Sequence, residues 1–298
     1  MSPGDRTALG ALLACALLAG GNGVGVRFSN RELAPLWGGF LRFALAGLVL
    51  LAVMAALRLA PPRGRALVGA VLFGVLNFAT GFGVFYVALV HLHAGFGSIL
   101  LGMVPLASLL LAVAWRQERP GAGALVGVLL AVAGITVMSQ GRLSGAVPVT
   151  ALLAALVSVV SLAQAGVLVR RYPPVHPVVM NAVGMLAGAA ALLVGSVAAG
   201  EVRHLPREAL TVLALGYLVL AGSVLLFVLY LVTLRYWPAS RTAYVFVLSP
   251  TGAVALSAWL DAEPVGPGLV LGGLAALAGV YFGALRPQSH MDISRTAR

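Results

Sequence analysis

Apolar stretches of about twenty residues, each closed by arginines, prolines or glycines, follow one another along almost the whole chain. At 1.5 Å of rise per residue such a stretch matches the hydrocarbon thickness of a bilayer, so each predicts a transmembrane helix. Ten spans result, at 7–27, 36–57, 66–89, 95–115, 121–139, 148–169, 177–198, 208–233, 239–260 and 266–285. The sharpest breaks are RELAP (31–35), APPRGR (60–65), RQERPG (116–121), RRYPPVHP (170–177) and EVRHLPRE (201–208). No linker is long enough for a soluble domain, and the tail after Arg286 is short and polar.

Composition agrees. Of 298 residues 61% are hydrophobic and 9% charged, against about 25% charged in soluble domains. A net charge of +11 raises the question of nucleic acid. The basic residues are all arginine, however, and nearly all flank apolar runs instead of gathering on one face. They read as topology determinants, and no nucleic-acid partner is expected. With the N-terminus in the cytosol, twelve arginines fall at inner ends: Arg6, Arg58, Arg63, Arg65, Arg116, Arg119, Arg170, Arg171, Arg235, Arg286, Arg295 and Arg298. Five fall outside: Arg27, Arg31, Arg142, Arg203 and Arg207. That bias predicts both termini inside. The single cysteine, Cys15, excludes an internal disulfide.

The chain also repeats itself. Displaced by 145 residues, Pro105 meets Pro250, Glu118 meets Glu263, and Gly121, Gly123, Gly127 and Gly134 meet Gly266, Gly268, Gly272 and Gly279. Five crossings, an odd number, separate the two glutamates, so the second half is inverted relative to the first. Inverted repeats are the common architecture of secondary transporters, whose halves exchange packing to open alternately to either side.

Residues 85–138, beginning FYVALVHLHAGFG, resemble the second part of an EamA repeat from the drug/metabolite transporter superfamily. Residues 229–283, beginning LYLVTLRYWPAS, resemble its second copy, and GNGVGVRFSNRELAPLWGG resembles the repeat's opening. The resemblance covers 8–285. It departs from the family pattern at Gly20 and Gly21, where a tryptophan is usual, and at Gly184, where a polar residue is common. It implies an all-α polytopic membrane protein, ten transmembrane helices in two inverted five-helix repeats around a central cavity. The repeats are expected at 8–139 and 148–285, with a cytosolic tail at 286–298. It further implies a multi-pass protein of the bacterial cytoplasmic (inner) membrane, monomer or homodimer. Its function would be to export a small organic solute (amino acid, metabolite or xenobiotic) by alternating access. An intramembrane enzyme and a non-transporting scaffold are the alternatives. There is no HExxH or GxSxG motif for the first, and the second leaves the repeat unexplained.

Chemistry has few places to reside. Arg42, two turns into span 2, is costly in a bilayer unless it faces a cavity, water or a partner. It is an anchor for an anionic substrate group or an interhelical packing residue, with packing the weightier. Arg241 reads as a topology anchor. Asn22 and Gln164 occupy nearly equivalent places in spans 1 and 6 and serve as cavity lining or as interhelical hydrogen-bonding groups. Phe85, Tyr86 and Tyr230 are candidate stacking surfaces, and Asn77, Ser98, Ser161 and Tyr244 candidate polar contacts. His91 and His93 do not share a helix face, so no metal or cofactor is expected. No Asp or Glu lies deep within a span, which leaves facilitation or exchange on equal terms with ion coupling. Glu263, just before a glycine-rich run, is expected to cap the start of span 10.

Overall fold

The computed structural model describes residues 3–116, 126–127, 129–130, 132–134, 136–137, 148–236 and 245–282. Regular structure among them is helical. Among the described residues seven helices are long and apolar enough to cross a membrane. They are span 1 (Gly4–Ser29), span 2 (Pro35–Ala56), span 3 (Arg65–Ala88), span 4 (Ala94–Ala114), span 6 (Val149–Val169), span 7 (Pro177–Ala198) and span 8 (Ala209–Tyr230). Shorter helices Val245–Leu260 and Pro267–Val280 stand where spans 9 and 10 are expected. Most of span 5, Glu118, Arg241 and Tyr244 lie outside the described residues.

Proline sets several helix starts. Pro35, Pro177 and Pro267 sit at the first helical turn, where a missing N–H leaves no hydrogen bond unmade. The repeat mates Pro105 and Pro250 behave differently. Pro105 opens a second helical segment, Val104–Ala114, after a turn at Gly102–Met103, whereas Pro250 lies inside Val245–Leu260.

Spans 3 and 8 are not uniform α-helices. Each contains a π-helical segment, Val75–Gly83 and Leu220–Leu225. Their first residues are 145 apart (220 − 75), the offset of the sequence repeat. Widening the turn displaces carbonyls from the i−4 ladder, and these need other donors. For span 3 the donors are hydroxyls of span 6: Ser158 donates to the Gly81 carbonyl at 2.7 Å and Ser161 to that of Leu76 at 2.8 Å.

The principal helix contacts keep their form when the two halves are exchanged. Span 1 packs on 8 and 9, as span 6 packs on 3 and 4; span 2 meets 8, as span 7 meets 3; and the mates 2 and 7, and 4 and 9, meet each other. Spans 3 and 7 approach each other closely. A Cβ placed on Gly74 would fall 2.5 Å from the Gly184 Cα, and one on Gly188 would fall 2.6 Å from the Phe78 Cβ. GMLAG (184–188) is thus a small-xxx-small seam that lets two backbones touch. Around it Phe43, Ala46, Leu50, Phe78, Met185 and Leu192 form one buried cluster.

Candidate functional site

The most unusual side chain in the interior is Arg42, 2% exposed. Helical spacing in span 2 sets it on the same side as Phe43 and Ala46, which pack inward. Its Nε donates to Ser223 Oγ and its Nη2 to the Gly222 carbonyl, both at 3.1 Å. Both acceptors lie in the π-helical segment of span 8. The Gly222 carbonyl also accepts from Asn22 Nδ2 at 3.1 Å, so span 1 joins the same point. A side chain at Gly222 would collide with the Asn22 amide. The guanidinium carbon lies 5.0 Å from the ring centre of Phe43 and 5.8 Å from that of Phe82, cation–π distances that partly compensate for lost hydration.

That compensation is incomplete. Among the described residues no carboxylate pairs with Arg42. Its Nη1 is buried without a hydrogen-bond partner, as are the Tyr86 hydroxyl and the Asn22 amide oxygen. Tyr86 is fully buried and its hydroxyl lies beside the Arg42 guanidinium. Tyr217, which donates to the Leu18 carbonyl at 2.7 Å, is a further neighbour of the charge. Spans 1, 2, 3 and 8, from both halves of the chain, therefore converge on one polar point with open donors and acceptors.

Of the residues singled out in the sequence, Asn22, Arg42 and Tyr86 are brought together here. Asn77 is half-buried on the span 3 π-helical segment. Ser98 lies against Gly23 of span 1. Phe85 packs over Gly97 in the apolar core that also holds Tyr86, and Tyr230 packs with Leu12, Cys15 and Val245. Ser161 and Gln164 line a groove of about 380 Å³ with Leu76, Leu153, Leu156, Val157 and Val160. Leu153, Val157 and Val160 are more than half exposed, so this groove is open, and it shares no residue with the Arg42 cluster. Gly222 and Ser223 were not foreseen.

Acidic residues gather at one end of the bundle, where they tie the halves together. Glu201 accepts from the Leu36 and Trp37 N–H groups at 3.1 and 2.9 Å, capping span 2. Glu32 accepts from Arg207 and Glu208 at 2.6 and 3.1 Å, capping span 8. Glu263 accepts from Gly95 and Phe96 at 2.9 and 3.3 Å, capping span 4. The expected cap on span 10 is thereby corrected. That helix begins only at Pro267, four residues on, and Glu263 instead meets the free N–H groups of a helix from the other half. Asp261, two residues earlier, pairs with Arg27 and, at 2.9 Å, with Arg31, and lies 4.0 Å from His93 Nδ1. Arg27 also donates to the Leu89 and Leu92 carbonyls. Ala262, between the two acids, has φ +50°, a conformation glycine adopts more readily.

At Glu32 partial desolvation opposes ionisation. The Arg207 N–H, the Thr211 hydroxyl, the Glu208 N–H and the His204 charge outweigh it and hold the carboxyl below its ordinary value. With the folded pKa below the unfolded one, this cap stabilises fully above the ordinary carboxylate range, and its contribution is lost as pH falls through the lowered value. Glu32→Gln should flatten that part of an acid-side profile of Tm against pH, and an unchanged profile would show that the cap does not couple to folding.

The geometry can now be set beside known proteins. The model of the EamA-like transporter family matches residues 6–140 and 149–284. The chain belongs to the EamA-like transporter family. It is 31% identical over 261 residues to the uncharacterized inner membrane transporter YedA of Escherichia coli strain K12, covering 85% of this chain and 83% of that one. The same figures hold for YedA of Escherichia coli O157:H7. A solved crystal structure of a protein shares the fold at 18% identity, with a TM-score of 0.66 over 94% of this chain and 97% of that one. The EamA-like chain is therefore a multi-pass inner membrane transporter embedded in lipid, and not an enzyme.

Proposed function

We propose that this transporter exports a small organic solute across the bacterial cytoplasmic membrane by alternating access, with the Arg42 cluster as its binding point. The carrying observation is the convergence of Asn22 and Arg42 of the first half on Gly222 and Ser223 of the second, with Tyr86 beside the guanidinium. A solute bound there touches both repeats, so it can respond to their relative movement. Ten spans in two inverted five-helix units, with both termini cytosolic, complete the reading, supported by the arginine bias and by principal helix contacts that keep their form when the halves are exchanged. In this orientation the Asp261 contacts close the outer face. They join the end of span 1, the end of span 3 and the 9–10 turn, while Glu263 holds the start of span 4.

Purified protein in liposomes, offered amino acids, nucleobases and cationic dyes, tests the transport reading; failure of every solute to exchange would sink it. The outer closure has its own test. In a Cys15→Ala background, Ser98→Cys should react about tenfold faster with an impermeant maleimide once Asp261→Asn removes roughly 1.4 kcal/mol of ion pairing. Equal rates would show that Asp261 does not hold that face.

A further inference from the structure

Arg42 is a fixed positive charge in the interior of the bundle. Arg27 and Arg31 have Asp261 as counter-charge, but Arg42, far more buried, has no carboxylate among the described residues. Burying an unpaired charge is costly even after relaxation, and intramembrane charges of this kind mark ligand paths. Three of the polar atoms around Arg42 are open, and they differ in kind. Arg42 Nη1 carries N–H donors, Tyr86 carries an O–H donor, and Asn22 Oδ1 is an acceptor. The Tyr86 hydroxyl lies beside the guanidinium. A guanidinium N–H beside a hydroxyl is suited to the two oxygens of one carboxylate.

We propose, resting on the transport reading above, that the solute carries a carboxylate, taken by Arg42 Nη1 and Tyr86 Oη. The carboxylate supplies the negative charge that the fold omits. The remaining bonds of Arg42, to Gly222 and Ser223, hold the guanidinium in place, so the anion meets a fixed donor pair. Asn22 Oδ1 faces the same region without a donor, and a solute with an N–H group near its carboxylate gains a second contact there. A neutral amide of the same shape would bring no charge to the buried guanidinium.

The test is calorimetric titration of the purified protein with three acid–amide pairs: lactate and lactamide, phenylacetate and phenylacetamide, alanine and alaninamide. At least one acid is expected to bind, with its amide weaker by roughly tenfold or more. Arg42→Gln should weaken that acid by roughly thirtyfold or more, and Tyr86→Phe by roughly tenfold. If Arg42→Gln does not give a monodisperse protein, Tyr86→Phe, which removes only an unpaired hydroxyl, carries the test alone. Amides that bind as well as their acids overturn the proposal. So does acid binding unchanged in the variants, thermal stabilisation by chloride with none by the acids, or no binding by any acid at tens of millimolar. Flux separates the two readings. Acid binding without movement across liposomes defeats the transport function but leaves the anion site standing. Transport of cationic or neutral solutes, undiminished in Arg42→Gln, does the reverse.

Discussion

Replacing Arg42 by methionine is expected to abolish transport while leaving the unliganded protein at least as stable as the wild type. The methionine follows the arginine's stem and removes its charge. Few groups lose their only partner. The Gly222 carbonyl keeps its bond from Asn22, and the Ser223 hydroxyl still donates to the Leu218 carbonyl at 2.8 Å. Exchanging buried ionic groups for apolar ones of similar volume is often neutral or stabilising by about 1–4 kcal/mol. If Arg42 were an interhelical packing residue, its loss would instead destabilise the bundle and lower Tm. Thermal melts of both proteins, beside flux in liposomes, separate these outcomes. A lower Tm with transport retained would return Arg42 to a structural role.

The second large effect is on folding. Gly74→Val should cost about 3 kcal/mol or prevent accumulation of folded protein, because overpacking a filled seam forces backbones apart. The new side chain would meet the Gly184 backbone, which has no rotamer to turn aside. Gly216→Val, in the same kind of apolar helix but with open space around it, is the control and should be close to neutral. Detergent-extracted yield and Tm decide. A well-folded Gly74→Val protein would mean that spans 3 and 7 do not approach so closely.

Much of the architecture was legible because the bilayer imposes a single length on every crossing. Runs of apolar residues between arginines and prolines located spans 1–4 and 6–8 to within a few residues, and Gly121/Gly266-type pairs betrayed the repeat. The π-helical segments were not legible. Val75–Gly83 and Leu220–Leu225 read as ordinary apolar helix, and what distinguishes them is a set of distant donors, Ser158, Ser161, Asn22 and Arg42. The site was half legible for a similar reason. Asn22, Arg42 and Tyr86 stand out in an apolar chain, but a glycine contributing its carbonyl leaves no mark on the sequence. Phe85 and Tyr230 carry the same aromatic signal as Tyr86, and what sets Tyr86 apart is the guanidinium of Arg42 beside its hydroxyl, which the sequence does not show. Glu263 misleads through sequence proximity. A glutamate next to a helix start looks like that helix's cap, but Glu32, Glu201 and Glu263 all reach across to helices far away in the chain.

Those crossed caps bear on how the protein is made. The carboxylate that completes the start of span 2 comes from Glu201, 165 residues after Leu36. At a ribosomal rate of about 5–20 residues per second, span 2 waits roughly ten to thirty seconds for it. During that interval the first half sits in the bilayer with its helix start unfinished, and a chaperone or insertase has a window in which to hold it. Synthesised as two separate polypeptides, the halves should each be short-lived and should persist only when made together.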